Sequence, residues 1–522
     1  MQTLTEVTPF QNEPFTDFSK EENAAAMQKA LQEVEASFPQ VVRLWIDGKD
    51  CEGGGGTLDS IDPGKTDRVV ANSAMGDHKD AVRAIAGANE AFTAWARKTP
   101  EERAEYLFQA ARLMRLRKHD FSALMVFEVG KTWAEADGDT AEAIDFLEFY
   151  AREALRYGRK QPIVPYPGED NEMVYIPLGV GAVIPPWNFP LAILVGMATA
   201  AIVAGNTVVV KPSSDSPGIA AMFIDLMKEV GLPAGVLQFV PGAGTEVGET
   251  LVEHPMIRFI SFTGSAEVGI GIYEKAGRTP EGQGWLKRVV AEMGGKDFIL
   301  VDEDADIDAV APAVHSAAFG YQGQKCSACS RLILHESIHD EFMAKFLPLV
   351  EATPVGHPSE AATFLGPMIN EKARAGAIHG IEQAKENGNE LVAGGEVGED
   401  SGWYLAPTVF TGVGRGDFIW KEELFAPVLG IHKVSSFDEG VEAANDTRFG
   451  LTGAYFGKDE EKIARAKQEL HCGNLYINRK CTGALVGVHP FGGFNLSGTD
   501  SKAGGRDYLL LFLQAKSISR AK

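Results

Sequence analysis

The chain has 522 residues, which at about 150 residues per domain gives three or four units, or equally two large domains with appendages. Its 49 Lys and Arg against 72 Asp and Glu give a formal charge of −23, which disfavours nucleic-acid backbones and acidic membrane surfaces as partners. A 45% hydrophobic and 23% charged composition is that of a folded globular chain and excludes extended disorder.

The five cysteines, Cys51, Cys326, Cys329, Cys472 and Cys481, are odd in number and too scattered for a secreted disulfide scaffold. Residues 1–20 contain neither a basic region followed by an apolar core nor an Arg-rich leader, so the expected compartment is the cytoplasm.

In chain order, residues 21–40 and most of 79–156 carry helical periodicity, clearest in Lys79–Arg97, Glu101–Arg117 and Ala141–Tyr157. Val41–Ile46 predicts a strand entering the glycine turn Gly53–Gly56. Tyr157–Tyr175, with Pro162, Pro165 and Pro167, predicts an extended arm suited to pairing with a partner subunit. Met173–Val210 has no charged residue. Prolines at 185, 186 and 190 interrupt it, and Leu191–Ala204 falls short of the roughly 20 residues a membrane span requires.

From residue 178, strands and helices alternate. Gly179–Ile184, Thr207–Val210, Val236–Val240 and Ile257–Phe262 predict strands, with helices at Leu191–Ala204, after Ser216-Pro217 up to Gly231, and at Glu246–Glu253. This βαβαβ run predicts a parallel sheet covered on both faces. A second α/β block is expected from Val289, with strand Phe298–Val301, helix Ile307–Phe319, the glycine-rich loop Gly320–Gly323 and strand Arg331–Leu334. Tyr508–Ile518 predicts a terminal strand.

Two GKT triplets, at 64–66 and 130–132, lack the earlier glycine of a phosphate-binding loop, with Asp59 and Met125 in its place. The turn Thr263-Gly264-Ser265 opens a helix and offers N–H groups to a pyrophosphate, although glycine at a tight turn is ordinary backbone chemistry. Cys326-Ser327-Ala328-Cys329 has no second closely spaced pair to complete a zinc site. Cys326 follows Gly320–Lys325, expected to be a flexible cationic loop that exposes a thiol and favours thiolate, whereas Cys329 runs into a strand. A nucleophilic thiol needs a base and an oxyanion donor. Glu292 beside Gly294-Gly295, and Asn188 between Pro186 and Pro190, are the candidates.

The segments PWNFP (186–190), VVKPS (209–213), FTGS (262–265), EMGGK (292–296), GQKCSACSR (323–331) and EELFAP (422–427) occur in the order of the aldehyde dehydrogenase superfamily, which the chain resembles over nearly its whole length. With Thr482–Gly487 and Pro490–Gly493, it resembles the 1-pyrroline-5-carboxylate dehydrogenase branch. The resemblance implies an α/β aldehyde dehydrogenase-like fold. Two doubly wound parallel-sheet domains are expected: a Rossmann-type cofactor domain (1–156 and 178–288) and a catalytic domain (289–485). The arm and tail (157–177 and 486–522) are expected to build a homo-oligomer from a domain-swapped dimer.

The resemblance further implies NAD-dependent oxidation of L-glutamate γ-semialdehyde to L-glutamate, with a separate proline dehydrogenase as pathway neighbour. Cys326 would attack the aldehyde, Asn188 and the Cys326 N–H would hold the oxyanion, and Glu292 would activate the water that releases the acid. Cofactor contacts carried over are Ile184, Pro185, Pro186, Trp187, Lys211, Ser213, Ser214, Gly244, Gly248, Phe262, Thr263, Gly264, Ser265, Val268, Met293, Gly294, Glu423 and Phe425. Ser214 stands where many relatives have Glu, a weaker barrier to a 2′-phosphate, so NAD with some NADP use is expected. Substrate contacts are Phe189, Ser327, Gly483, Ala484 and Phe491, with Glu135 near the substrate ammonium; no metal is implied.

Overall fold

The computed structural model describes residues 7–398 and 401–522. Two seven-stranded sheets organise it. The first runs Arg288–Glu292, Ile257–Thr263, Val180–Ile184, Thr207–Val210, Leu237–Phe239, Leu44–Ile46, Lys49–Cys51. Its first five strands are parallel and the last two antiparallel additions. Strands Val180–Ile184 and Thr207–Val210 are buried at every position, as their unbroken apolar sequence requires.

The second sheet runs Glu390–Ala393, Thr408–Thr411, Val428–Val434, Cys329–His335, Asp297–Val301, Thr452–Phe456, Asn474–Ile477, parallel except at its first pair. The expected two-sheet α/β architecture is present. The chain changes sheets between Glu292 and Asp297, not at 289, because Val289–Glu292 pairs with Ile260–Thr263 of the first sheet.

Several local expectations are corrected. Val41–Ile46 is split: Gln40–Val42 joins a three-stranded sheet with Val69–Ala74 and Thr57–Ile61, and Leu44–Ile46 joins the large one. Ser216 makes no side-chain cap on helix Pro217–Glu229. The buried Glu128 carboxylate does that work from another helix, accepting from the N–H groups of Gly218 (2.6 Å) and Ile219 (2.8 Å). The helical signal at 141–157 belongs to a longer helix, Trp133–Tyr157.

The terminal run is a helical turn at Tyr508–Phe512 followed by strand Leu513–Ala521. That strand pairs antiparallel with Glu169–Pro177 of the same protomer, so the two arm segments meet each other. Residues 486–512 are not part of an arm. They pack back on the body, with Met293 N–H on the Ser497 carbonyl (2.7 Å) and Gly504 N–H on the Tyr150 hydroxyl (2.8 Å).

Helix Ala192–Val203 is apolar on all sides and lies in the core. Among the described residues no helix is long and apolar enough to cross a membrane.

Candidate active site

The carboxyl ends of the five parallel strands of the first sheet converge on one crevice edge, the usual ligand position in open α/β sheets. Ile184 ends one strand and leads into Pro185–Asn188; Val210 leads to Lys211 and Ser213; Thr263 leads to Gly264-Ser265; Glu292 ends the edge strand. The sequence-predicted cofactor residues between 184 and 294 thus follow separate strands of this sheet, whereas Glu423 and Phe425 precede strand Val428–Val434 of the second sheet.

Along that crevice edge, Lys211 is buried and its Nζ donates to the carbonyls of Pro212 (2.8 Å) and Gly242 (3.3 Å). Burial brings its pKa down to about 8. Gly244 faces open space and Gly248 lies against the Lys211 stem. Ser265 Oγ caps helix Ala266–Ala276 by accepting from Val268 N–H (3.4 Å), and Val268 itself is 52% exposed. Ser214 is exposed.

At the inner end, Glu423 Oε1 accepts from Gly295 N–H (2.9 Å), and a Cβ on Gly294 would fall 1.8 Å from Glu423 Oε2. Only glycine admits that approach. Phe425 meets Trp187 edge-on at 5.6 Å between ring centres. A helix N-terminus, a buried cation, an exposed apolar residue and a carboxylate are the kinds of group that a dinucleotide's pyrophosphate, riboses and rings require.

Cys326 sits between the turn Gly320–Gly323 and the central strand Cys329–His335 of the second sheet. The expected flexible loop is instead buried and pinned. Tyr321 and Gln322 take left-handed backbone conformations, φ +52° and +57°, which cost energy in residues with a Cβ. Their side chains hold them there: Tyr321 Oη donates to the Val129 carbonyl (2.9 Å), and Gln322 Nε2 to the carbonyls of Gly130 (3.1 Å) and Pro367 (2.8 Å).

The thiolate expectation also fails. Lys325 is engaged by Glu135 Oε1 at 2.6 Å. Burial, reinforced by the Asp297, Glu423 and Glu292 carboxylates, pushes the Cys326 thiol well above its ordinary pKa. Cys326 is half-buried, and its surroundings favour the neutral thiol over the thiolate, so a base assists its attack.

Asn188 is buried and its Nδ2 donates to the Gln324 carbonyl at 3.1 Å, two residues before Cys326. Among the described residues, that nitrogen's second N–H takes no further partner. Glu292 is held by Ser501 Oγ (2.6 Å), Ser501 N–H (3.2 Å) and Gly493 N–H (3.1 Å). Burial outweighs those hydrogen bonds and raises its carboxyl to about 7, the range of a base that works at neutral pH.

Of the predicted substrate residues, Phe189 is partly exposed and lies 6.4 Å from the Tyr321 ring. The Ser327 carbonyl accepts from Thr452 Oγ1 and Cys481 Sγ, both at 3.5 Å. Gly483 has φ +81°, and Arg479 Nη2 takes the carbonyls of Thr482 and Gly483, each at 3.0 Å. Among the described residues the N–H groups of Gly483 and Ala484 have no partner. Phe491 bridges to Ala503. Glu135 reaches the site through Lys325 rather than as a free carboxylate. Sequence reasoning missed Ser501 and Gly493 as anchors of Glu292, since nothing local distinguishes a serine that folds back across 209 residues.

A profile of the aldehyde dehydrogenase family matches residues 50–518. The chain belongs to the aldehyde dehydrogenase family. This aldehyde dehydrogenase is similar to the 1-pyrroline-5-carboxylate dehydrogenase of Geobacillus thermodenitrificans, 49% identical over 513 residues, covering 98% of this chain and 99% of that one. Thermus 1-pyrroline-5-carboxylate dehydrogenase, solved with bound NAD, matches with a TM-score of 0.97 at 47% identity, over 99% of this chain and 100% of that one. Proline utilization A from Bdellovibrio bacteriovorus matches at 38% identity and TM-score 0.96, over 98% of this chain and 53% of that one.

Proposed function

We propose that this aldehyde dehydrogenase oxidises L-glutamate γ-semialdehyde, the open form of 1-pyrroline-5-carboxylate, to L-glutamate with NAD. The observation that carries the reading is full-length similarity to 1-pyrroline-5-carboxylate dehydrogenases in a chain whose Asn188 amide bonds the backbone two residues before Cys326.

Lys211, Ser213, Ser265 and Glu423 would hold NAD, which would supply the two-electron, hydride-accepting oxidant. Cys326 gives its thiol proton to the Glu292 carboxylate, which passes it on to solvent, and its sulfur adds to the aldehyde carbon. The oxygen of that carbon becomes an alkoxide, stabilised by the free Asn188 N–H and the Cys326 N–H. Once the carbon has given up its hydride, Cys326 carries a thioester. Glu292 takes a proton from the water that attacks the thioester, and the acid leaves as the Cys326 sulfur is released. A carboxyl near 7 accepts that proton and returns it within the working pH range. Phe189 and Phe491 flank the aliphatic chain; Ser327 with the Gly483 and Ala484 N–H groups takes the α-carboxylate.

The exposed Val164 and Tyr166, on the stretch before strand Glu169–Pro177, support a homo-oligomer joined through the arms. Five free cysteines support the cytoplasm. The match to proline utilization A, of which this chain covers 53%, supports a proline dehydrogenase as pathway neighbour.

The test is reduced-cofactor absorbance with NAD and pyrroline-5-carboxylate, beside succinate semialdehyde and propanal, for the wild type and Cys326→Ala. Turnover fastest with the first substrate and lost in the variant is expected. Preference for another aldehyde would overturn the substrate assignment, and undiminished activity in Cys326→Ala the mechanism.

A further inference from the structure

The second GKT triplet, rejected as a phosphate site, has another use. Gly130, with φ +67°, ends helix Lys118–Val129 in the left-handed conformation and turns the chain so that Lys131 points inward. Lys131 has no exposed surface, and its Nζ lies 3.2 Å from the equally enclosed Asp139 Oδ2. It also stands 3.9 Å from the centre of the Phe189 ring and 4.3 Å from that of Tyr321. Among the described residues, neither Lys131 Nζ nor Asp139 Oδ2 makes a well-formed hydrogen bond, so the two ring faces are the ammonium's other support.

The pair touches both halves of the site. Asp139 Oδ1 accepts the N–H of Ala192 at 2.6 Å, three residues after Phe189. Val129 and Gly130, the residues just before Lys131, accept the side chains of Tyr321 and Gln322, which carry the left-handed turn ahead of Cys326. A buried ion pair costs desolvation, and an apolar residue of similar length would fill the same space with less penalty. A cation packed on two ring faces does something an apolar residue does not: it holds both rings in one orientation.

We propose that Lys131, paired with Asp139, is a positioning residue that sets the orientation of Phe189, and thereby selectivity for the carbon chain of the semialdehyde. The proposal rests on the reading of Phe189 as a wall of the substrate site.

Lys131→Met/Asp139→Asn removes both charges at nearly constant volume, and the Asn amide oxygen still accepts from Ala192. For this variant, kcat/KM for L-glutamate γ-semialdehyde is expected to fall on the order of tenfold, mostly through KM, while propanal changes less than about twofold. NAD affinity and Tm control for folding. Asp139→Asn alone is the second variant, with the same selective KM rise in smaller measure. Equal losses for both aldehydes, no loss at all, or failure of both variants to fold would overturn the proposal in favour of a purely structural pair. A wild-type protein without preference for the semialdehyde over propanal sinks the functional reading and this proposal with it. A preference that survives both variants sinks only the proposal.

Discussion

Ser501 Oγ donates to Glu292 Oε1 at 2.6 Å, tying a loop near the C-terminus to the last residue of an edge strand 209 positions earlier. This bond favours the ionised carboxylate, against burial, which favours the protonated form. The resting value near 7 is the outcome of that opposition.

Ser501→Ala removes one donor to the charged form and moves the Glu292 carboxyl higher. A base works only when deprotonated, so the acid limb of the kcat–pH profile, expected near 7 in the wild type, shifts upward by about half to one unit. Activity at pH 7 drops several-fold and recovers in mildly alkaline buffer. A variant slowed equally at every pH would contradict this account.

Gly294 has no room for a side chain beside Glu423: a Cβ there lies 1.8 Å from Oε2. Gly294→Ala therefore displaces that carboxylate and breaks its bond from Gly295 N–H. NAD affinity, read by fluorescence quenching, is expected to weaken on the order of tenfold while the protein stays folded. Unchanged affinity would mean Glu423 does not hold the cofactor.

Ser214 is exposed at the end of the groove where Lys211 and Ser213 lie. Ser214→Glu places a carboxylate where a 2′-phosphate would sit. The ratio of kcat/KM with NAD to that with NADP should rise about tenfold or more, mainly by loss of NADP use. An unaltered ratio would place the 2′ position elsewhere.

Glu128 caps helix Pro217–Glu229 from a buried position that raises its carboxyl to about 7. Its folded pKa exceeds its unfolded one, so the folded state holds the proton more tightly and the wild type loses stability as pH rises from about 4.5 to 7. Glu128→Gln does not titrate. The Tm difference between the two proteins should move in the variant's favour, by a few degrees, from pH 5 to 7.5 and then level off. A difference that stays flat would show that Glu128 ionises in the folded state as readily as in water.

The sequence by itself determined the parallel-sheet pattern, because unbroken runs such as Val180–Ile184 and Thr207–Val210 are stable only when buried on both faces. It also offered Cys326, Asn188 and Glu292 as candidates in glycine- and proline-framed motifs, and the order of those motifs, through the family resemblance, gave them their roles. Tertiary structure alone decided their electrostatics. Lys325 next to Cys326 reads as a cation that favours thiolate, yet Glu135, 190 residues earlier, pairs with it, and burial among carboxylates leaves a neutral thiol. Lys131 reads as part of a failed phosphate motif until the fold sets it between two rings. Residue type and spacing are written along the chain, whereas charge state depends on desolvation and on partners that only folding brings within a few ångströms.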